Sequence, residues 1–160
     1  MLLLAACGGE EPARSVLIAS GRDDHGLLVQ KTVALSAEPE GPSVAEVPAG
    51  SLVEVVETRG EWIRVRSLQG AATGWANDFY LRGVAHLVGR VLGCPVLERG
   101  GGVFEPSTQV ALVAYERRGG ALWLRVRALA SGREGWVQPR ALTELPTHTH
   151  GPPPACEDAR

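Results

Sequence analysis

Residues 62–81 read WIRVRSLQGAATGWANDFYL, and residues 123–142 read WLRVRALASGREGWVQPRAL. Laid side by side without a gap, they share Trp, Arg, Val, Arg, Leu, Gly, Trp and Leu at matching positions. Each stretch places a Gly-Trp pair at the same distance after its leading Trp, and together they hold all 4 tryptophans of the chain. Coincidence in that register is a poor explanation, so the chain carries an internal duplication, which governs every later inference about fold.

The pattern inside the repeat is that of a β-hairpin. Trp62, Arg64 and Arg66 alternate with Ile63 and Val65, the two-residue period of a strand with one face inward. Gln69-Gly70-Ala71-Ala72-Thr73-Gly74 is a run of small residues suited to a turn, after which Trp75 opens a second strand. Ala130-Ser131-Gly132-Arg133-Glu134-Gly135 fills the same place in the second copy. The glycine before each second Trp predicts a bulge or the close approach of another strand.

Working outward, Gly50-Ser51-Leu52-Val53-Glu54-Val55-Val56 leads into Gly60-Glu61-Trp62-Ile63-Arg64-Val65, then Gly74-Trp75 and Tyr80-Leu81. This succession resembles the bacterial SH3-like (SH3b) domain. Val33 to Pro39 takes the place of that family's opening strand, without its usual Asn and Arg. The second copy is similar from Trp123 onward and looser before it, with Val110-Ala111-Leu112 standing where Val53-Glu54-Val55 stands in the first. The resemblance covers residues 29 to 146. It implies an all-β protein of two consecutive small SH3-like barrels, with a single helical turn over Asn77–Leu81 closing the first.

Length and charge agree with that reading. The chain has 160 residues, a formal net charge of −2 and 44% apolar residues, enough for two small cores and without the basic field of a nucleic-acid binder. No stretch approaches the ~20 apolar residues needed to span a bilayer. The expected divisions are 8–27 for a disordered tether and 147–160 for a flexible Pro/His tail, read from composition. The SH3b resemblance implies 28–83 and 84–146 for the two barrels, and the lipobox resemblance of Leu4-Ala5-Ala6-Cys7-Gly8 implies 1–7 for a truncated lipoprotein signal. Val16 to Ile18 pairs at most on a sheet edge. Leu87 to Leu92 reads as the second barrel's opening strand, and Tyr115 to Leu122 as a loop longer than its counterpart.

Leu4-Ala5-Ala6-Cys7-Gly8 resembles the bacterial lipobox, in which Cys7 is lipidated and becomes the new N-terminus. Gly8 after it implies, by the same resemblance, an outer-membrane lipoprotein facing the periplasm. The alternative is a plain apolar N-terminus. With Cys7 lipidated, 2 of the 3 cysteines are left, Cys94 and Cys156, and an even pair in an exported protein is the arithmetic of one disulfide. Two free thiols or an intermolecular bridge is the other outcome.

The candidates for chemistry are few. Cys94 lies near His86 in sequence but in a loop after a glycine, without a helix N-terminus to lower its pKa. His25 has no ligand partner at useful spacing, and His148 with His150 falls short of the three or four ligands a metal site needs. We therefore expect no catalysis, no metal and no cofactor. Trp62 and Trp123, set among alternating strand residues, read as core, with Trp75 and Trp136 closer to the rim. Arg64, Arg66, Arg125 and Arg127 read as a solvated strand face. A cleft between Trp75, Tyr80 and the loop from Glu38 to Ser43 is the expected ligand site. The resemblance implies peptidoglycan or an envelope peptide as its ligand, and an adaptor lipoprotein contacting another envelope protein is the alternative. Because the second copy has Pro139-Arg140-Ala141 where the first has Asp78-Phe79-Tyr80, we expect any ligand site on the first barrel.

Overall fold

A computed structural model of the chain describes residues 15–89, 91–92 and 103–146. Cys7, Cys94, Cys156 and the histidines of the tail lie outside the described residues. The first unit contains β1 (Val16–Ala19), β2 (Thr32–Ser36), β3 (Ser43–Pro48), β4 (Leu52–Arg59), β5 (Trp62–Ser67), β6 (Thr73–Asn77) and β7 (Leu81–Arg82). They form one antiparallel sheet in the order β3-β2-β6-β5-β4-β1-β7. The second unit contains β8 (Val84–Leu87), β9 (Val91–Leu92), β10 (Val103–Phe104), β11 (Gln109–Arg118), β12 (Ala121–Ala128), β13 (Glu134–Val137) and β14 (Leu142–Thr143). Five of these pair in the order β13-β12-β11-β8-β14, and β9 pairs with β10. The protein is all-β, two small SH3-like barrels in succession.

The two units have similar ladders. β4 pairs with β5 across a register shift between Val55 and Glu57, and β11 pairs with β12 across one between Leu112 and Ala114, the same step along each strand. A bulge at that step bends the hairpin so that it curls over its own core. A single 3₁₀ turn follows β6 at Asp78–Tyr80, capped by the Asn77 Oδ1, which accepts from the Phe79 N–H at 3.0 Å. Its counterpart at Pro139–Ala141 follows β13 and has no side-chain cap.

The first core collects Ala19, Val33, Leu35, Val47, Val53, Val65, Ala76 and Leu81. The second collects Ala85, Leu87, Val91, Phe104, Val110, Leu124, Val126, Val137 and Ala141, together with Val16, Ile18, Leu52 and Leu68 from the first unit. The two barrels thus share apolar surface instead of hanging on a linker.

Three expectations need correction. Residues 16–19 do not belong to a tether. They form β1, hydrogen-bonded on one side to β4 and on the other to β7. Leu17 and Ala19 face the first core while Val16 and Ile18 face the second. The unbroken run Val-Leu-Ile-Ala is what a strand buried on both faces requires. The opening strand at 87–92 is broken into β8 and β9, because Gly89 sits at φ 67° and turns the chain. Tyr115 to Leu122 is not a loop. Arg117 pairs with Leu122 and Arg118 with Ala121, so the second hairpin is simply longer, closing at Gly119-Gly120 with φ 53° and 83°. Two consecutive left-handed residues are the mark of the tight hairpin turn that follows strand twist.

Candidate functional site

One row of side chains crosses four strands of the first barrel. Glu57 on β4 is opposite Arg64 on β5, Arg64 is opposite Trp75 on β6, and Trp75 is opposite Ser36 on β2. The alternation of β5 directs Ile63 and Val65 to the core and leaves Trp62, Arg64 and Arg66 on the other face. Trp62 is therefore a half-buried neighbour of the arginines, not a core residue, whereas Trp123, at 3% exposure, is buried as expected. β6 carries Gly74 and Ala76 inward, so Trp75 also points away from the barrel interior. At Gly74 a Cβ would come within 2.8 Å of the Leu35 Cβ and 2.9 Å of the Ser36 carbonyl oxygen. That close approach of β2 is why the residue before Trp75 is glycine.

The row floors a cavity of about 570 Å³, open to solvent, with Glu38, Pro39 and Val44 on its far wall. The wall is a turn in which the Gly41 N–H donates to the Glu38 carbonyl at 2.9 Å, with Pro39 second and Glu40 third at φ 61°. A proline followed by a left-handed residue defines a type II turn, and a glutamate in the glycine position holds it with strain.

Trp75 is 6% exposed, and its ring is covered by the Arg59 guanidinium, 4.9 Å from the centroid. Arg59 is in turn hydrogen-bonded through Nε to Glu57 Oε1 at 2.8 Å, a pair on which both side chains remain exposed to water. Such an exposed pair is weak, so this cover over the indole opens at little cost. Arg64 is exposed and forms no ion pair among the described residues.

Of the residues expected at the site, the structure brings Glu38 and Trp75 together in this cavity. Ser43 stands outside its lining at the start of β3, where its hydroxyl reaches the Ala45 carbonyl at 3.5 Å, and the neighbouring Val44 lines the cavity instead. Tyr80 is also outside it, half-buried against the first core, its ring 5.1 Å from that of Phe79 in an edge-to-face contact. Arg64, read as part of a solvated face in the sequence, is a site residue, and so is Arg59. The hairpin closes where the Ser67 N–H donates to the Ala72 carbonyl at 2.9 Å, and counting back from that closure puts Arg64 opposite Trp75.

The corresponding face of the second barrel is built differently. Glu134 accepts from Arg127 through Nε at 3.0 Å and Nη2 at 2.6 Å, and from the Arg125 Nε at 2.7 Å. Those hydrogen bonds, Arg127's first, hold its carboxyl below the ordinary range. The position opposite Arg127 on β12 is Glu134, and the position opposite Arg66 on β5 is Thr73, so the first barrel lacks this acid. Arg118, from the lengthened hairpin, lies 4.6 Å from the Trp136 ring centroid and 5.8 Å from that of Trp123. Its side chain is 11% exposed and bonded to Glu116 at 3.0 Å, so it is a fixed filling where Arg59 is a loose cover.

Among the described residues no three His, Cys, Asp or Glu side chains group to hold a metal ion, and no helix is long and apolar enough to cross a membrane.

Residues 34–83 match the bacterial SH3 domain family, a stretch that lies within the first barrel. No curated protein matches the chain. Among solved structures, the chain is similar to NlpC1 from Trichomonas vaginalis, 12% identical, with a TM-score of 0.39, covering 89% of this chain and 50% of that one. It is also similar to NlpC2 from Trichomonas vaginalis, 11% identical, with a TM-score of 0.36, covering 86% of this chain and 51% of that one. The chain spans about half the length of each of these proteins.

Proposed function

We propose that this protein is a non-catalytic cell-envelope lipoprotein whose first barrel binds peptidoglycan or a peptide in the cavity around Trp75. The observation that carries the reading is the contrast between two equivalent faces. In the first barrel an indole sits under an exposed arginine at the edge of an open cavity. In the second, Arg118 lies over both rings and is nearly buried. An aromatic platform beside a few polar groups is the usual make-up of a small-ligand site, and the bacterial SH3 domain is in general a binding module for peptidoglycan or peptides. The second barrel serves as a docked support.

The test is co-sedimentation with purified cell-wall sacculi. Trp75→Ala should reduce binding, and because it also removes buried area, Val44→Asp provides a second variant at a side chain that is 59% exposed. Undiminished binding by both variants rules the cavity out. The envelope part of the reading rests on Cys7, and on Cys94–Cys156 as a disulfide. Cys7→Ser, exported behind a leader, should release the protein from membranes. Peptide mapping without reductant should recover residues 94 and 156 in one cross-linked peptide.

A further inference from the structure

The arginine left over in the first barrel says what the cavity takes. Arg125 and Arg127 of the second barrel are both bound by Glu134. Their counterparts are Arg64 and Arg66, and Thr73 stands where Glu134 does. Arg66 finds its acid elsewhere, in the buried Glu54, which accepts from the Arg66 Nε at 2.5 Å. Arg64 finds none among the described residues, although it sits in the cavity floor beside Trp75. Glu57 is opposite it, but its Oε1 is held by Arg59. Glu38, on the far wall, is exposed and has no ion-pair partner among the described residues.

We propose that Arg64 is the carboxylate-binding residue of this cavity. Its ligand is a peptide segment carrying a free carboxylate with an amine close by. This rests on the ligand-binding reading above and deepens it. A planar guanidinium meets a carboxylate through two parallel hydrogen bonds, which an uncharged amide cannot match. With Arg59 and Glu57 cancelling each other, one cation and one acid remain, on opposite sides of the indole. A phosphate or a polyanion would be repelled by Glu38, whereas a carboxylate with a neighbouring ammonium satisfies both walls. The second barrel has its own carboxylate in that place already, supplied by Glu134.

The experiment compares native sacculi with sacculi whose carboxyl groups have been converted to amides by carbodiimide and ammonia. Wild-type protein should bind the amidated material about tenfold or more weakly, the loss expected for a charge-assisted hydrogen bond. Thr73→Glu places the second barrel's acid opposite Arg66 and next to Arg64, and should weaken binding to native sacculi by a similar factor with its melting temperature kept. Arg64→Gln should bind both materials equally, and Arg64→Lys should keep part of the preference. If wild type binds native and amidated sacculi alike, the carboxylate assignment is overturned and the ligand-binding reading survives. Native affinity in Thr73→Glu would overturn the assignment too. If wild type binds neither material, both readings fall.

Discussion

The Tyr115 hydroxyl of the second barrel donates to Glu54 Oε2 of the first at 2.8 Å, and Glu54 is 1% exposed. A buried carboxylate is costly unless its oxygens are occupied, and here the Arg66 guanidinium takes the other oxygen. Beside this contact the Arg117 Nη2 donates to the Leu68 carbonyl at 2.5 Å, and Leu52, Leu68, Val16 and Ile18 enter the second core. Polar and apolar contacts therefore fasten the barrels at one seam.

Tyr115→Phe should lower stability by about 1–3 kcal/mol, because it removes one partner of a buried charge and leaves the ring in place. Denaturant unfolding gives the number. A double-mutant cycle with Glu54→Gln should show coupling, since the two groups touch. Independent, additive losses would mean the contact does not hold the seam.

Glu134 gives a pH signature. Its carboxyl is held below the ordinary glutamate range by Arg127 and Arg125, so the folded state favours the ionised form. The stability this contributes is present above the unfolded pKa and is lost as pH falls through the depressed folded value. The group is 26% exposed, so the effect is screened and amounts to about 0.5–1 kcal/mol. Glu134→Gln should be less stable than wild type at neutral pH, and the two should converge in acid below the normal glutamate range. A difference constant across that window would exclude the mechanism.

Much of this was legible in residues alone, and the failures have physical causes. The two hairpins follow from Trp-x-Arg-Val-Arg and Gly-Trp, because period two and a small-residue turn leave little choice. The same period should have put Trp62 with Arg64 and Arg66, two and four residues on, but the size and apolar character of Trp argued for core. In the structure guanidinium groups lie over the indoles of Trp75, Trp123 and Trp136, while Trp62 stays half-buried on the arginine face. β1 was misread because four apolar residues cannot build a core alone, and nothing local announces that two other strands flank them. The cavity was half legible. Glu38 and Trp75 were, but Arg64 becomes a site residue only through cross-strand register, and only comparison with Glu134 shows that it lacks an acid.

The turn at residues 38–41 should respond to Glu40. At φ 61° a side chain crowds its own backbone, at a cost of about 1–2 kcal/mol. Glu40→Gly removes that strain and returns part of the gain as unfolded-state entropy, for a net stabilisation of about 0.5–1 kcal/mol. Thermal unfolding should show a rise of about 1–4 °C. A fall would mean that the Glu40 side chain makes a contact worth more than the strain.

Tyr80 and Trp75 separate stability from binding. The Tyr80 ring rests on the first core and against Phe79, and the Tyr80 carbonyl accepts from the Ser20 N–H at 2.7 Å, so this residue clamps β1 to the closing turn. Tyr80→Ala should cost about 1–3 kcal/mol of stability, less than a fully buried ring because it is half-exposed. Below its melting temperature it should bind sacculi within about twofold of wild type, an affinity change of under ~0.5 kcal/mol. Val44→Asp should do the reverse, sparing stability and weakening binding, since it alters the cavity wall without touching either core. Measuring melting temperature and sacculus affinity on the same preparations of both variants makes the comparison direct. If Tyr80→Ala loses binding at full stability, the ligand lies over the closing turn and not in the cavity at Trp75.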